Sequence, residues 1–118
     1  HDFRDAGRVL RAEALACYEA GDINYVPLRD YITRNSELYT PVELVDAPRA
    51  GGSTLQSLQR GAAEVETDYL NGEITLLGRL HNVATPHNSL LQKLAREVIE
   101  GRREPCSMRW SEISAAVI

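Results

Sequence analysis

Lysine, cysteine and long apolar runs are scarce in this sequence of 118 residues. Lys93 is the only lysine, so a reaction that needs a catalytic lysine has one candidate here. The two cysteines, Cys17 and Cys106, form no C-x-x-C pair and have no partners at zinc-ligand spacing. This pattern favours two free thiols in a reducing cytoplasm, with a single disulfide as the alternative.

Several classes of function lack their sequence signatures. No G-x-G-x-x-G or P-loop sequence is present to hold a nucleotide phosphate, and there is no G-x-S-x-G elbow. No apolar run approaches the ~20 residues of a membrane span, and no secretory signal is visible. The net charge of −4 argues against nucleic acid or an anionic membrane surface as a partner. His81 and His87 lie on either side of a helix break, which indicates surface or capping histidines rather than a metal site.

Apolar residues recur at helical spacing along most of the chain. The pattern predicts helices over residues 2–20, 27–36, 53 to about 61, 66–80, 85 to about 101, and a short one near 110. Residues 35–52 are predicted to be a connector. Gly21 is expected to end the first helix in the left-handed position, and Thr85 to cap the fifth, with Pro86 in its first turn. Since no segment alternates with period two, we predict an all-α single domain of five or six helices.

Two segments stand out as candidate sites. Two glycines precede Ser53 at a helix start, where backbone N–H groups and the helix dipole favour an anion. The alternative is a serine that only caps its helix, with Gln56 reaching back as in a capping box. Glu66 lies in the first turn of an apolar helix, where the dipole stabilises a carboxylate without any further role. Asn71 and Gly72, both poor helix formers in mid-helix, indicate close approach of another element or a buried hydrogen bond.

The same helix carries a wide apolar arc, which predicts that both of its sides are packed. The residues of this arc are Tyr69, Leu70, Ile74, Leu76, Leu77 and Leu80.

Several linked motifs follow one another in a fixed order. They are Ser53-Thr54-Leu55-Gln56, then Gly61, then Glu66-Thr67-Asp68-Tyr69-Leu70-Asn71-Gly72, and finally Val83-Ala84-Thr85-Pro86-His87-Asn88. Together they resemble the C-terminal helical domain of ketopantoate reductase (2-dehydropantoate 2-reductase), closely over about residues 50 to 95. The resemblance implies the helical fold seen in the C-terminal domains of 6-phosphogluconate dehydrogenase-like proteins.

The resemblance also implies a function. It implies a cytoplasmic oxidoreductase that uses NADPH to reduce the 2-oxo acid ketopantoate to pantoate, a step in pantothenate biosynthesis. Ser53 would bind the substrate, and Glu66 would be an active-site acid that interacts with the substrate and with a catalytic lysine. NADPH would be bound mainly by an N-terminal Rossmann domain of the same enzyme, with no cofactor-binding residue in this chain. A homodimer is compatible with the resemblance.

The chain departs from the family pattern in ways that affect this expectation. The family's lysine lies on the first helix of the domain, before an Asn-x-x-x-Asn-Pro-Leu type stretch, whereas Lys93 falls on the helix after Thr85-Pro86. We therefore expect residues 1–118 to be a substrate-binding fragment that lacks the Rossmann domain and the lysine helix and is inactive alone. Residues 50–52 and the loop before Glu66 also differ, which leaves the exact 2-oxo acid open. The alternative is a stand-alone helical dimerisation or interaction module without catalytic activity.

Overall fold

The structure, a computed structural model, describes residues 2–39, 53–61 and 66–117. Within these ranges the chain forms six α-helices and no strand, which confirms the all-α prediction for this part. Most of the predicted connector lies outside the described residues. The helices are α1 (Asp2–Ala20), α2 (Leu28–Leu38), α3 (Ser53–Gln59), α4 (Thr67–His81), α5 (Pro86–Ile99) and α6 (Trp110–Ala115). None of them is long and apolar enough to cross a membrane.

Helices α1, α4 and α5 pack against one another and form the core, and α6 lies against α1 and α5. Cys17 on α1 is fully buried, and its Sγ lies 3.7 Å from the carbonyl oxygen of Ile74 on α4. The side of α1 that carries Leu10, Ala14 and Cys17 at helical spacing therefore faces the core. Arg8 and Arg11 lie on its exposed side, as their positions on the helix predict.

Helix α4 packs through its small residues. Gly72, Thr75 and Gly78 recur every three residues on one side and are all buried. A Cβ added at Gly72 would lie 3.0 Å from Nε2 of Gln92, and one added at Gly78 would lie 2.6 Å from the carbonyl oxygen of Val83. The glycines thus allow α5 and its leading loop to approach closely. This confirms the interpretation of Gly72 as a packing residue.

The opposite side of α4 faces solvent. Tyr69, Leu70, Leu76 and Leu80 are 42–72% exposed. The prediction that both sides of this helix are packed is therefore wrong for the described residues. An apolar arc indicates that a face is suited to burial, but it does not specify which chain supplies the covering surface.

Helices α4 and α5 end close to the predicted residues, whereas the end of α1 differs from the prediction. Asn82 ends α4 in the left-handed region at φ 56°, and Gly101 follows α5 at φ 70°. After α1 the left-handed residue is Asp22, at φ 52°, and not Gly21 as predicted. Gly21 is needed for another reason, because a Cβ there would lie 2.9 Å from Nε2 of His81. The missing side chain lets the end of α4 approach the end of α1.

Candidate functional site

A groove of about 650 Å³ lies between α3, α4, α5 and the segment that leads into α6. Its walls are mainly apolar, with Leu58, Leu91, Leu94 and Val98 among them. Polar residues of α3, α4 and the segment before α6 also line it, and they are Thr54, Thr67, Asn71, Arg103, Glu104 and Ser107. Concave, mostly apolar walls with a few polar groups are the usual form of a small-molecule site.

Neither of the two site residues predicted from the sequence lines this groove, but the residue after each of them does. Ser53 is the first residue of α3 and is exposed, and the next residue, Thr54, lines the groove. Glu66 occupies the N-cap position of α4 and is also exposed, and the next residue, Thr67, lines the same groove. The beginnings of α3 and α4 thus meet at one cavity. The Glu66 side chain does not cap its own helix, which leaves its carboxylate available for another partner.

A buried carboxylate that the sequence analysis missed lies at the centre of the helix packing. Glu13 on α1 has a side chain only 10% exposed. Its Oε1 accepts a hydrogen bond from the backbone N–H of His87 at 2.8 Å, and His87 Nδ1 lies 2.8 Å from the same oxygen. Its Oε2 accepts from the backbone N–H of Asn88 at 3.0 Å and from Asn88 Nδ2 at 2.7 Å. A side chain of α1 therefore caps the N-terminus of α5.

This cap corrects the prediction for Thr85. Thr85 does occupy the N-cap position of α5, followed by Pro86 as predicted, but its hydroxyl makes no capping hydrogen bond. Thr85 is buried, and its Oγ1 lies 3.5 Å from Oγ of Ser89. Glu13 takes over the capping role because a carboxylate satisfies the unpaired N–H groups and also opposes the positive end of the helix dipole.

The surroundings of Glu13 shift its pKa below the ordinary value of 4.5. Burial by itself raises the pKa of this carboxyl, but the hydrogen bonds donated by Asn88 and His87 outweigh burial and favour the ionised form. The pKa of the neighbouring Cys17 thiol is shifted in the opposite direction. Burial is the larger cause of this rise in pKa, and the negative charge of Glu13 adds to it. The site is thus built to keep one carboxylate charged and one thiol protonated.

A polar seam joins α4 to α5 and extends from the buried carboxylate toward the groove. Nδ2 of Asn71 donates to Oδ1 of Asn88 at 2.9 Å, which is the buried hydrogen bond expected at Asn71. Farther along, Oγ1 of Thr75 donates to the carbonyl of Gly72 at 2.8 Å and lies 3.2 Å from Oε1 of Gln92. Asn71 also lines the groove, so one residue contacts both the groove and the Glu13 network.

The remaining side chains with possible reactivity are one lysine and two cysteines. Lys93 is exposed on α5 and is not among the residues that line the groove. Cys17 and Cys106 are both free thiols, one buried and one exposed at the edge of the groove. In the described part of the chain, no three histidine, cysteine or acidic side chains come together as metal ligands.

Comparison with known protein families gives one match. The family described as Ketopantoate reductase PanE/ApbA C terminal matches residues 1–99. The chain belongs to this family. Comparisons with curated proteins and with solved structures each gave no match.

Membership of the ketopantoate reductase C-terminal family makes the chain a reductase-type domain with the expected helical fold. The resemblance seen in the sequence from residue 50 onward is thereby extended to α1, where it rested only on helical character. A signal for Glu13 was present in the sequence. Leu10, Ala14 and Cys17 define the buried face of α1, and an acid at position 13 falls within that face, which indicates a buried partner.

Proposed function

We propose that this chain is the substrate-binding half of an NADPH-dependent enzyme that reduces a 2-oxo acid, with 2-dehydropantoate as the substrate and pantoate as the product. The match to the ketopantoate reductase C-terminal family is the observation that carries the proposal. The common groove reached by the starts of α3 and α4 supports it, because each of the two residues assigned from the sequence directly precedes a residue that lines this groove. A cytoplasmic location for pantothenate biosynthesis belongs to the same proposal.

Glu66 is assigned as the active-site acid. Hydride addition to a ketone produces a developing alkoxide, which needs a positioned proton donor. A carboxylate beside a lysine keeps that lysine protonated, because the opposite charge favours the charged form of the amine. Glu66 is exposed at the N-cap of α4 and is therefore accessible to a lysine supplied from outside the described helices. Lys93 is not assigned this role, since it lies on α5 away from the groove lining.

Ser53 is assigned to the substrate. A hydroxyl at the first residue of α3 can donate a hydrogen bond to the carboxylate or the hydroxyl of a keto acid. The apolar wall formed by Leu58 and its neighbours on α5 suits a branched aliphatic body of the acid. Both assignments place recognition of the polar end of the substrate at the helix starts.

The residues of this chain do not fit the cofactor itself. The described residues contain no strand, and the sequence has no glycine-rich turn of the kind that approaches a dinucleotide pyrophosphate. We therefore assign NADPH to a Rossmann domain outside residues 1–118, together with the helix that carries the lysine, and we expect these residues alone to be inactive.

The test uses the complete gene product that contains this chain. NADPH oxidation is followed with 2-dehydropantoate and with several other 2-oxo acids. Glu66→Gln should lower kcat about tenfold or more, as loss of an acid–base partner does, and Ser53→Ala should mainly raise the KM for the oxo acid. Glu73→Gln, at an exposed position of the same helix, is the matched control and should leave both constants unchanged.

A second candidate function is a helical dimerisation module without catalysis. The exposed apolar side of α4 favours it. A gene product that neither binds NADPH nor reduces any 2-oxo acid would support this candidate and contradict the first. Turnover of another oxo acid with 2-dehydropantoate unchanged would keep the reductase but reject the substrate.

A further inference from the structure

Arg103, in the segment between α5 and α6, brings a positive charge to the wall of the groove. Its side chain is only 33% exposed, and its Nε donates a hydrogen bond to Oε2 of Glu97 on α5 at 2.8 Å. The Glu97 side chain is itself 14% exposed. A largely buried carboxylate therefore holds the guanidinium in place, so that little further freedom is lost when the arginine binds a ligand.

The contact with Glu97 leaves one edge of this guanidinium open. Within the part of the chain that the structure describes, the two Nη groups of Arg103 have no hydrogen-bond partner. They form a planar fork of donors that matches the two oxygens of a carboxylate. The groove that Arg103 lines has apolar walls, which include Leu58, Leu94 and Val98. A fork of donors in an apolar groove fits an acid with an aliphatic body.

Arg103 lies at the same end of the α4–α5 pair as the candidate acid Glu66. The two helices are neighbours joined by a short loop, so the start of α4 and the end of α5 lie together. The contact of 3.4 Å between Oδ1 of Asp68 and Nη2 of Arg96 joins these two ends. Glu66 directly precedes α4, and Arg103 follows shortly after α5. Since the carbonyl of a 2-oxo acid is bonded to its carboxyl carbon, a carboxylate bound at Arg103 places that carbonyl toward the start of α4.

The other candidate residue, Ser53, lies toward the opposite end of α3. Arg103 shares an adjoining cleft with Gln59 and Gly61, which lie at the end of that helix. Ser53 begins α3 and Gln59 ends it, so these two residues are about 9 Å apart along the helix axis. The hydroxyl of 2-dehydropantoate lies at the far end of a four-carbon chain from its carboxylate. An acid bound in this direction turns its hydroxyl toward Ser53.

We propose that Arg103 binds the carboxylate of the 2-oxo acid through its two Nη groups. The inference rests on the proposed function, and within it Ser53 is left to the hydroxyl of the acid. Arg103 lies beyond residues 1–99, so the family match does not assign this contact.

Two negative charges oppose the acid at this place, Glu97 on the Nε side and the exposed Glu104 in the groove lining. Glu97 offsets much of the positive charge of Arg103, so recognition depends on the short hydrogen bonds of the fork more than on long-range attraction.

Isothermal titration calorimetry of the complete gene product with 2-dehydropantoate tests the proposal, together with steady-state kinetics. Arg103→Met should raise both the dissociation constant and the KM of the acid about tenfold or more, as loss of hydrogen bonds to a charged group does, and should leave the KM for NADPH unchanged. Arg103→Lys keeps the charge without the fork and should also bind the acid more weakly than the native protein. Glu104→Gln should tighten binding, because it removes a like charge.

Two further variants separate binding from folding. Arg102→Met is the matched control, because Arg102 is exposed, pairs with Glu100 and does not line the groove, and it should leave every constant unchanged. Since Arg103→Met leaves the carboxylate of Glu97 unpaired, the double variant with Glu97→Gln is measured beside it and should show the same loss of affinity. Circular dichroism checks that each variant remains helical.

The neutral methyl ester of the acid distinguishes recognition of the carboxylate from fit to the apolar walls. The native protein should prefer the acid to the ester, and Arg103→Met should bind the two with similar affinity. Unchanged affinity of Arg103→Met for the acid, in a gene product that reduces it, would overturn this proposal and leave the reductase assignment standing. A gene product that binds the acid through Arg103 but reduces no 2-oxo acid would support the carboxylate site and contradict the reductase.

Discussion

Glu13 offers the sharpest test of the packing, because one substitution removes its charge and leaves its shape. In Glu13→Gln the amide keeps one acceptor oxygen but places an NH₂ group where the second oxygen accepted hydrogen bonds. Either the N–H of His87 or that of Asn88 then faces a donor, and the positive end of α5 loses its countercharge. The substitution thus leaves buried donors unsatisfied without creating a cavity.

The expected loss of stability in Glu13→Gln is large for an isosteric change. Hydrogen bonds to a charged group contribute about 1.5–3 kcal/mol each, and a buried donor left unpaired costs about 1–3 kcal/mol. Allowing for the bonds that glutamine keeps, the free energy of unfolding should fall by about 2–4 kcal/mol. For a domain of this size that corresponds to a decrease in Tm of roughly 10 °C or more.

The pH dependence provides an independent check on the mechanism. The pKa of Glu13 is lower in the folded protein than its ordinary value of 4.5. A depressed carboxyl pKa contributes stability that is fully present above the unfolded-state pKa and is lost as the pH falls through the folded-state pKa. The difference in stability between the native chain and Glu13→Gln should therefore be constant near neutral pH and should shrink below about 4.5.

Thermal unfolding by circular dichroism at several pH values measures both effects. Glu19→Gln, on the exposed side of the same helix, is the control and should change the free energy of unfolding by less than about 0.5 kcal/mol. If Glu13→Gln were as stable as this control, or if its deficit persisted unchanged at acid pH, the charged cap would not be the source of the stability.

Two further predictions concern close packing. Gly78→Ala should destabilise the chain by about 1–3 kcal/mol, because its Cβ would lie 2.6 Å from the Val83 carbonyl oxygen. Gly7→Ala, whose Cβ would meet nothing nearer than 4.0 Å, should instead stabilise α1 by about 0.5–1 kcal/mol. Urea unfolding of both variants tests the pair, and equal shifts in the free energy of unfolding would contradict the packing. Cys106 should react rapidly with Ellman's reagent, whereas Cys17 should react only as fast as the chain unfolds. The reason is that Cys17 is fully buried and its thiol pKa is raised. Fast reaction of both thiols would show that the core opens at α1.

The helices and most of their ends could be predicted because the signals are local. Apolar spacing located the six helices that the described residues form. The predicted ends of α4 and α5 lie close to Asn82 and Gly101, residues that tolerate a left-handed backbone. Where a contact between distant parts of the chain competed with the local signal, the prediction failed. Gly21 has the conformational freedom for the left-handed turn, but contact with His81 uses its lack of a side chain, and Asp22 adopts the positive φ instead.

The candidate site was harder to predict because its parts come from distant positions. Asn71 and Gly72 indicated a buried contact, but they did not indicate its partners, Asn88 and Gln92, which lie on the following helix. Glu13 is more than seventy residues from the backbone groups it caps, and no pattern within a single helix specifies such a pairing. The Thr85-Pro86 signal located the start of α5 correctly, but it could not show that the capping oxygen would come from another helix.

Helix α4 shows why an apolar arc predicts a helix better than it predicts the packing of that helix. The predicted arc contained only large apolar residues, whereas the buried side of α4 is lined by small residues that the arc did not include. The small residues allow α1 and α5 to approach, and the distance between helix axes in a core is set by such residues at the contact. The large residues, Tyr69, Leu70, Leu76 and Leu80, add nothing to that core and remain in water. The apolar arc thus predicted which residues of α4 are suited to burial, whereas the three-dimensional arrangement shows that these four remain exposed.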